Sequence, residues 1–191
     1  MRLVQGVGIN DRSVAAKVNG KITKEYTLWH SMLERCFYKP HLEKQPTYIG
    51  CSVSDNFKYY HLFHAWCQIQ VGFGKEGYHL DKDLLIKGNK VYSEDTCVFI
   101  PRDLNNLLTK ANSIRGLLPI GVRKKRSKFR ADCSINNTRI YIGTFDTPDL
   151  AFQAYKTFKE THIKELAELY KDSIDPRAYT ALINYTVELD D

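Results

Sequence analysis

Basic side chains are concentrated in one stretch of this chain of 191 residues. Residues 119 to 142 hold seven Lys or Arg side chains against a single acid, Asp132, and so equal on their own the formal net charge of +6 of the whole chain. Cationic side chains gathered in this way neutralise phosphates and donate to base edges, which indicates a surface for a polyanion. The seven are Arg123, Lys124, Lys125, Arg126, Lys128, Arg130 and Arg139.

The elements that must position these residues follow from the alternation of apolar and polar side chains. Three short runs between Pro119 and Phe145, separated by the basic cluster and by Asn136-Asn137, predict a three-stranded antiparallel meander. Thr147-Pro148-Asp149 is a strong helix start, so one helix should back the sheet. The predicted core face carries Val122, Phe129, Ala131, Cys133, Ile140 and Ile142, and the opposite face carries Arg123, Lys125, Arg130, Asp132, Arg139 and Tyr141.

A solvated basic face without a partner is the alternative interpretation of this pattern. The sorting of charge by strand face favours a binding surface instead. The composition, 43% hydrophobic and 12% aromatic, is enough for a packed core in one or two domains.

Two further features bound the class of protein. No apolar run approaches the roughly 18 to 20 residues that span a bilayer, and the first ten residues lack the apolar stretch of a signal peptide, so a cytoplasmic protein without a membrane partner is expected. The five cysteines are widely spaced without a C-x-x-C pair, which predicts reduced, buried thiols. A zinc site from Cys36, Cys51 and Cys97 is the less favoured alternative.

The rest of the chain is predicted to be an α+β arrangement in two domains. Residues 1 to 22 have no clear period and suggest a loosely structured arm. The predicted elements after it are an amphipathic helix over Lys24 to Tyr38 ended by Pro40, a turn-rich segment, a second helix over Asn56 to Gln70, strands within Tyr78 to Ile86 and Thr96 to Ile100, and a short helix over Pro101 to Leu108. The polar segment Thr109 to Leu118 then separates a domain of residues 1–112 from one of residues 113–191.

Four motifs in the second domain are GVR at 121–123, FRAD at 129–132, IYIGTFDT at 140–147 and the run from Ala151 to Tyr155. Together they resemble the DNA-binding domain of the plant ethylene-response-factor family, which also occurs in phage and mobile-element endonucleases. The resemblance covers about residues 119 to 172. It implies a sheet that lies in the DNA major groove. The residues it places against DNA are Arg123, Lys125, Asp132, Arg139 and Tyr141, the last in place of the usual tryptophan.

The first domain carries Trp29, Arg35-Cys36-Phe37, Leu80-Asp81-Lys82-Asp83, Lys87-Gly88-Asn89-Lys90 and Thr96-Cys97-Val98-Phe99. Over residues 24 to 108 this pattern is similar to phage HNH-type endonucleases. The resemblance implies a ββα-type module with flanking helices, and cleavage that depends on Mg²⁺ or Mn²⁺ and on a histidine base.

The positions of that motif are filled unusually here. The resemblance makes Asp81 the metal aspartate, while Lys82 stands at the histidine and Thr96 at the later asparagine that would complete the metal site. His79 and Asp83 alternate with Asp81 along a strand, so they could supply a replacement base and a second carboxylate; a surface or structural role for His79 is the alternative. Asn89 could serve chemistry or turn geometry.

Three hypotheses for function follow. The first is a homing-type, metal-dependent endonuclease that binds double-stranded DNA through its C-terminal sheet. The second is a non-catalytic DNA-binding regulator or accessory protein with a degenerate HNH core, which Lys82 and Thr96 favour. The third is a phage-encoded inhibitor that uses the basic sheet to engage an acidic host protein.

Overall fold

The chain folds into two compact units, Met1–Ile100 and Pro101–Asp191. The computed structural model describes residues 3–109 and 118–189, so the predicted boundary between residues 112 and 113 lies outside the described residues. Helices and small sheets are mixed along the chain, which confirms the predicted α+β class. Among the described residues, no helix is both long and apolar enough to cross a membrane.

Short elements make up the first unit. Its helices are α1 (Lys24–Phe37), α2 (Lys39–Lys44) and α3 (Tyr60–Gln68), with 3-10 turns at Pro46–Tyr48 and Asn56–Lys58. Its strands are β1 (Lys17–Val18), β2 (Lys21–Ile22), β3 (Ser52–Val53), β4 (Tyr78–Asp81), β5 (Val91–Tyr92) and β6 (Val98–Pro101). β1 pairs antiparallel with β2, β3 pairs parallel with β5, and β4 pairs with β6.

Helix α1 forms where the apolar spacing predicted it. Thr23 caps it by accepting from the backbone N–H of Tyr26, and the buried stripe is Trp29, Met32, Leu33 and Cys36. Helix α1 ends at Phe37, before Pro40 as predicted, but Pro40 also lies in the first turn of another helix, α2, that was not predicted. Proline is tolerated there since its missing N–H would have no partner in the helix. The segment predicted as turn-rich is therefore partly helical.

Aromatic packing between α1 and α3 forms the core of the first unit. The Trp29 indole N–H donates to the buried carbonyl oxygen of Phe57 over 2.8 Å, and the Phe57 ring meets the Phe63 ring edge-on at 5.0 Å. The predicted second helix is divided at Tyr59 into a 3-10 turn and α3. All five cysteines of the chain are free and buried, as predicted.

The predicted N-terminal arm is more ordered than its sequence indicated. Residues 17–22 form the β1–β2 hairpin. Ile9 donates its N–H to the carbonyl oxygen of Lys58 over 2.7 Å and accepts from the N–H of Tyr60 over 2.9 Å. These backbone bonds to a distant segment carry no signature in the side-chain pattern, which is why periodicity did not reveal them.

The second unit is a sheet covered on one side by helices. Its elements are α4 (Arg102–Leu108), β7 (Val122–Lys125), β8 (Lys128–Ile135), β9 (Thr138–Phe145), α5 (Pro148–Tyr170) and α6 (Pro176–Ile183). The three strands are antiparallel in the order β7-β8-β9, and α5 packs across them with α6 against it. Asn136 and Asn137 turn the chain between β8 and β9 with φ of 49° and 62°, a conformation that asparagine tolerates. Thr147 caps α5 by accepting from the N–H of Leu150 over 3.2 Å.

A β-bulge interrupts the alternation of β9. Asp132 pairs with Tyr141 and Ala131 pairs with Gly143, so Ile142 has no partner on β8. Cross-strand partners share a face, and Ala131 is fully buried under the helix. Gly143 therefore lies on the helix side and Thr144 on the opposite side, where strict alternation from Tyr141 would have placed Gly143.

Candidate functional site

The side of the sheet away from α5 carries most of the basic residues that the sequence singled out. The pairs on that side are Arg123 with Arg130, Lys125 with Lys128, Asp132 with Tyr141, Ser134 with Arg139, and Arg130 with Thr144. We call these nine residues the outer face. Helix α5 packs on the other side, which holds the buried residues Val122, Ala131 and Cys133.

Two of the predicted DNA-binding residues do not belong to the outer face. Lys124 pairs with Phe129, which puts it on the helix side of the edge strand, although its side chain is exposed. Arg126 lies in the two-residue turn between β7 and β8 with a φ of 57°. Both add positive charge near the sheet without sharing the surface formed by the others.

Asp132 holds two arginines of the outer face together; we call Arg123, Arg130 and Asp132 the arginine cluster. Its Oδ2 accepts from Nε of Arg123 over 3.2 Å and also from Nη2, and its Oδ1 accepts from Nε of Arg130 over 2.6 Å. The Asp132 side chain is 5% exposed, against 49% for Arg123 and 31% for Arg130. Two arginines directly opposite each other would repel, and the carboxylate between them removes that cost.

The neighbouring charges and burial act in opposite directions on the pKa of Asp132. Burial raises the pKa of its carboxyl, but the hydrogen bonds and charges of Arg123 and Arg130 outweigh burial and hold the pKa below its usual value. The resemblance implied that Asp132 contacts DNA. In the structure it lies beneath the two arginines, so it supports them instead of presenting its own carboxylate.

Tyr141 supports the same cluster from the neighbouring strand. The Arg130 guanidinium lies over the Tyr141 ring at 4.7 Å, and the Tyr141 hydroxyl shares a hydrogen bond of 2.9 Å with Oγ1 of Thr144. The Tyr141 side chain remains more than half exposed. Thr144 was not predicted as part of this surface. The available signal was Gly143, because a glycine inside a strand often marks a bulge.

Asp81, the predicted metal aspartate, lies at the end of β4 and is mostly buried. Its Oδ1 accepts from the backbone N–H groups of Asp83 and Leu84 over 2.9 and 2.7 Å. Burial and the nearby Asp83 charge raise the pKa of Asp81 to about 6, against the effect of those two hydrogen bonds. The carboxylate therefore serves first to close the turn that follows the strand.

Lys82 and Asp83, the next two predicted residues, form an ion pair. Nζ of Lys82 lies 3.4 Å from Oδ2 of Asp83 and 5.7 Å from the centre of the Tyr92 ring. The Lys82 side chain is 11% exposed and that of Asp83 is 48% exposed. A lysine side chain thus occupies the position at which the HNH resemblance expects a histidine. His79 is exposed two residues before Asp81 on the same strand.

The side chains of Asn89 and Thr96 form hydrogen bonds with backbone groups of their own loop. Nδ2 of Asn89 donates to the carbonyl oxygens of Lys82 and Val91 over 2.6 and 2.7 Å, and its Oδ1 accepts from the N–H of Val91 over 3.1 Å. Oγ1 of Thr96 donates to the carbonyl oxygen of Val91 over 2.8 Å, accepts from the N–H of Ser93 over 3.2 Å, and shares a bond of 2.9 Å with the Ser93 hydroxyl. Both side chains close the loop between β4 and β6.

The two predicted metal ligands, Asp81 and Thr96, are already engaged in hydrogen bonds of their own loop. A threonine hydroxyl offers one donor and two lone pairs, and all of those at Thr96 are engaged. Oδ1 of Asp81 already accepts twice, and the cation beside it is Lys82. In residues 3–109 and 118–189, no group of three or more His, Cys, Asp or Glu side chains is placed to hold a metal ion.

Comparison with known proteins gives no relative to guide the assignment: no protein-family model, no curated sequence and no solved structure matches this chain.

Proposed function

We propose that this protein binds double-stranded DNA through the outer face of its three-stranded sheet, as a non-catalytic regulator or accessory factor. The observation that carries the proposal is the arginine cluster, in which a buried carboxylate is used to hold two arginines toward solvent. The carboxylate offsets the repulsion between the two opposed arginines, so that both stand on one face with part of their surface exposed to a polyanion.

The dimensions of the sheet suit a DNA groove. Neighbouring strands lie about 4.8 Å apart, so three strands span about 10 Å, and the B-DNA major groove is about 12 Å wide. The outer face would meet the groove with Arg123, Lys125, Lys128, Arg130 and Arg139, and Lys or Arg donors contact both phosphates and guanine edges. The likeness of residues 119–172 to the ethylene-response-factor DNA-binding domain supports the same surface.

The first unit is proposed to be a degenerate HNH-like module. Lys82 stands where a base is expected, and Asn89 and Thr96 are engaged by the backbone of the same loop. Metal-dependent cleavage is the second candidate, favoured by one observation: the carboxylates of Asp81 and Asp83 lie close enough for the charge of Asp83 to raise the pKa of Asp81.

The test of binding is a fluorescence anisotropy titration of the full chain against duplex DNA at several salt concentrations. We expect log K to fall linearly with log[salt], as counterions are released. The double substitution Lys125→Glu with Arg139→Glu should weaken binding at least about 30-fold. The matched control is the double substitution Lys164→Glu with Lys171→Glu, which changes the charge equally. Lys164 lies on α5 and Lys171 directly follows it, so this control should have a much smaller effect on binding.

Two outcomes decide between the candidates. Failure of the full chain to bind duplex DNA at low salt would overturn the proposal and leave an acidic protein as the partner to test. Nicking of plasmid or phage DNA with Mg²⁺ or Mn²⁺ that is lost in Asp81→Asn would establish the endonuclease instead.

A further inference from the structure

We propose that Arg130 is the base-reading residue of the outer face and that it recognises guanine, with Asp132 and Tyr141 as its positioning residues. This inference rests on the proposed DNA-binding function. It assigns different tasks to arginines that the charge pattern alone treats as equivalent.

The hydrogen bonds of Arg130 leave the correct edge of its guanidinium available. Within the described part of the chain, Arg130 uses only its Nε, which donates to Oδ1 of Asp132. Its two terminal nitrogens form the planar fork that matches the O6 and N7 acceptors of guanine, the commonest specific contact in the major groove. A contact through this fork would therefore not break the bond to Asp132.

Arg130 is also the arginine that is held from two directions. Asp132 fixes its Nε, and the Tyr141 ring lies 4.7 Å from its guanidinium carbon. The ring is itself tied to Thr144 through its hydroxyl. Because much of the rotamer freedom of Arg130 is already lost in the free protein, less remains to be lost on binding.

Its place in the sheet favours the same role. Arg130 lies on β8, the central strand, whereas Arg123 lies on the edge strand β7. When a three-stranded sheet lies in a groove with its strands along the groove axis, its central strand is the farthest from both phosphate walls. Arg139 differs further: no hydrogen bond or ion pair holds its side chain among residues 3–109 and 118–189, so it fits an adaptable phosphate contact.

A substitution of Asp132 separates a positioning role from simple electrostatics, because the two predict different effects on DNA binding. Asp132→Asn makes the outer face more positive, which by itself strengthens attraction to any DNA. If Asp132 positions Arg130, the same substitution should reduce the preference for the guanine-containing site. Non-specific affinity should rise or hold while sequence discrimination falls.

The experiment is a selection of binding sites by the full chain from a random duplex library, followed by titrations at fixed salt. The variants are Arg130→Lys, Arg139→Lys and Asp132→Asn, each checked for folding by circular dichroism. Both lysine variants keep the charge and lose the fork. We expect Arg130→Lys to reduce discrimination at one guanine by about 5- to 150-fold, and Arg139→Lys to leave that discrimination unchanged.

A change in the DNA rather than the protein provides a second measurement, the first part of which needs only the unaltered protein. Replacing the selected guanine with 7-deazaguanine removes the N7 acceptor, and this should weaken the unaltered protein and have little effect on Arg130→Lys. Duplex binding without a guanine-dependent preference, or a preference that survives in Arg130→Lys, overturns the inference while the proposed function stands. Absence of duplex binding overturns both.

Discussion

The side-chain amide of Asn89 donates to the carbonyl oxygen of Lys82 over 2.6 Å and thereby closes the loop that follows β4. The same amide bonds both backbone groups of Val91, so one side chain satisfies three backbone atoms. Asn89 thus supports the backbone of the loop at a position for which the HNH resemblance suggested a catalytic role.

Replacing Asn89 should therefore cost stability. Asn89→Ala leaves the carbonyl oxygens of Lys82 and Val91 and the N–H of Val91 without this partner. We expect the free energy of unfolding to fall by about 2 kcal/mol, measured by urea denaturation. Asn56→Ala is the control, since Asn56 is exposed in the same unit and its side chain forms no hydrogen bond within residues 3–109 and 118–189. Equal stability of the two variants would contradict the structural role.

The raised pKa of Asp81 predicts a pH dependence of stability. Its folded pKa of about 6 lies above the unfolded value of about 4. Between those pH values the unfolded state binds fewer protons than the native state, so the free energy of unfolding should fall as pH rises from 4 to 7, by on the order of 2 kcal/mol. Asp81→Asn, which cannot titrate but can still accept from Asp83 and Leu84, should lose this component and be more stable at pH 7.

Asp83 provides the control for that measurement. Its charge contributes to the raised pKa of Asp81, so Asp83→Asn should shift the pH-dependent region downward without removing it. Unfolding curves of Asp81→Asn that retain the full pH dependence of the unaltered protein would show that another group is responsible.

Gly121 should not accept a side chain. Its φ is 75°, and a Cβ at this position would lie 2.1 Å from Cδ2 of Tyr155 on α5. Gly121→Ala should destabilise the protein by at least about 2 kcal/mol, because backbone strain and overpacking add. Gly88→Ala isolates the strain alone, since Gly88 has a φ of 79° and nothing within 4 Å of the added carbon. Thermal unfolding should show the larger loss for Gly121→Ala.

Arg139 should contribute to DNA affinity without setting specificity. Arg139→Ala is expected to weaken binding similarly on all duplex sequences and to reduce the slope of log K against log[salt] by about one. Lys164→Ala, an equal change of charge on an exposed position of α5, should leave both quantities close to those of the unaltered protein. A sequence-dependent loss in Arg139→Ala would instead make Arg139 a base-reading residue.

Helix caps and apolar spacing, which depend only on residues near each other in the sequence, predicted helices α1 and α5 correctly. Thr147 and Pro148 marked the start of α5, and the apolar stripe of α1 appeared with the expected spacing. Pro40 correctly marked the end of α1 but did not reveal α2, because a proline is compatible with the first turn of a new helix as well as with the end of the preceding one.

The candidate site was predictable in composition but less so in geometry. Alternation placed Arg123, Arg130 and Tyr141 on one face, and the pairing register agrees. That Asp132 would be buried beneath two arginines depends on side-chain contacts between two strands, and that Asn89 and Thr96 would be used by their own loop depends on its closed conformation. Neither follows from residue type and spacing.

Ile142 is the residue of β9 whose removal would leave the register of the sheet intact. Without it, Tyr141 would directly precede Gly143, and the pairs Ala131–Gly143 and Asp132–Tyr141 would follow each other in regular alternation. Its deletion would therefore keep Tyr141 on the outer face and Gly143 on the helix side, and would change neither the charge nor the number of aromatic residues. Deleting Ile140 with the pairing of Tyr141 kept would instead direct Arg139 to the helix side. The tolerance of β9 for the loss of one residue thus depends on which residue is lost.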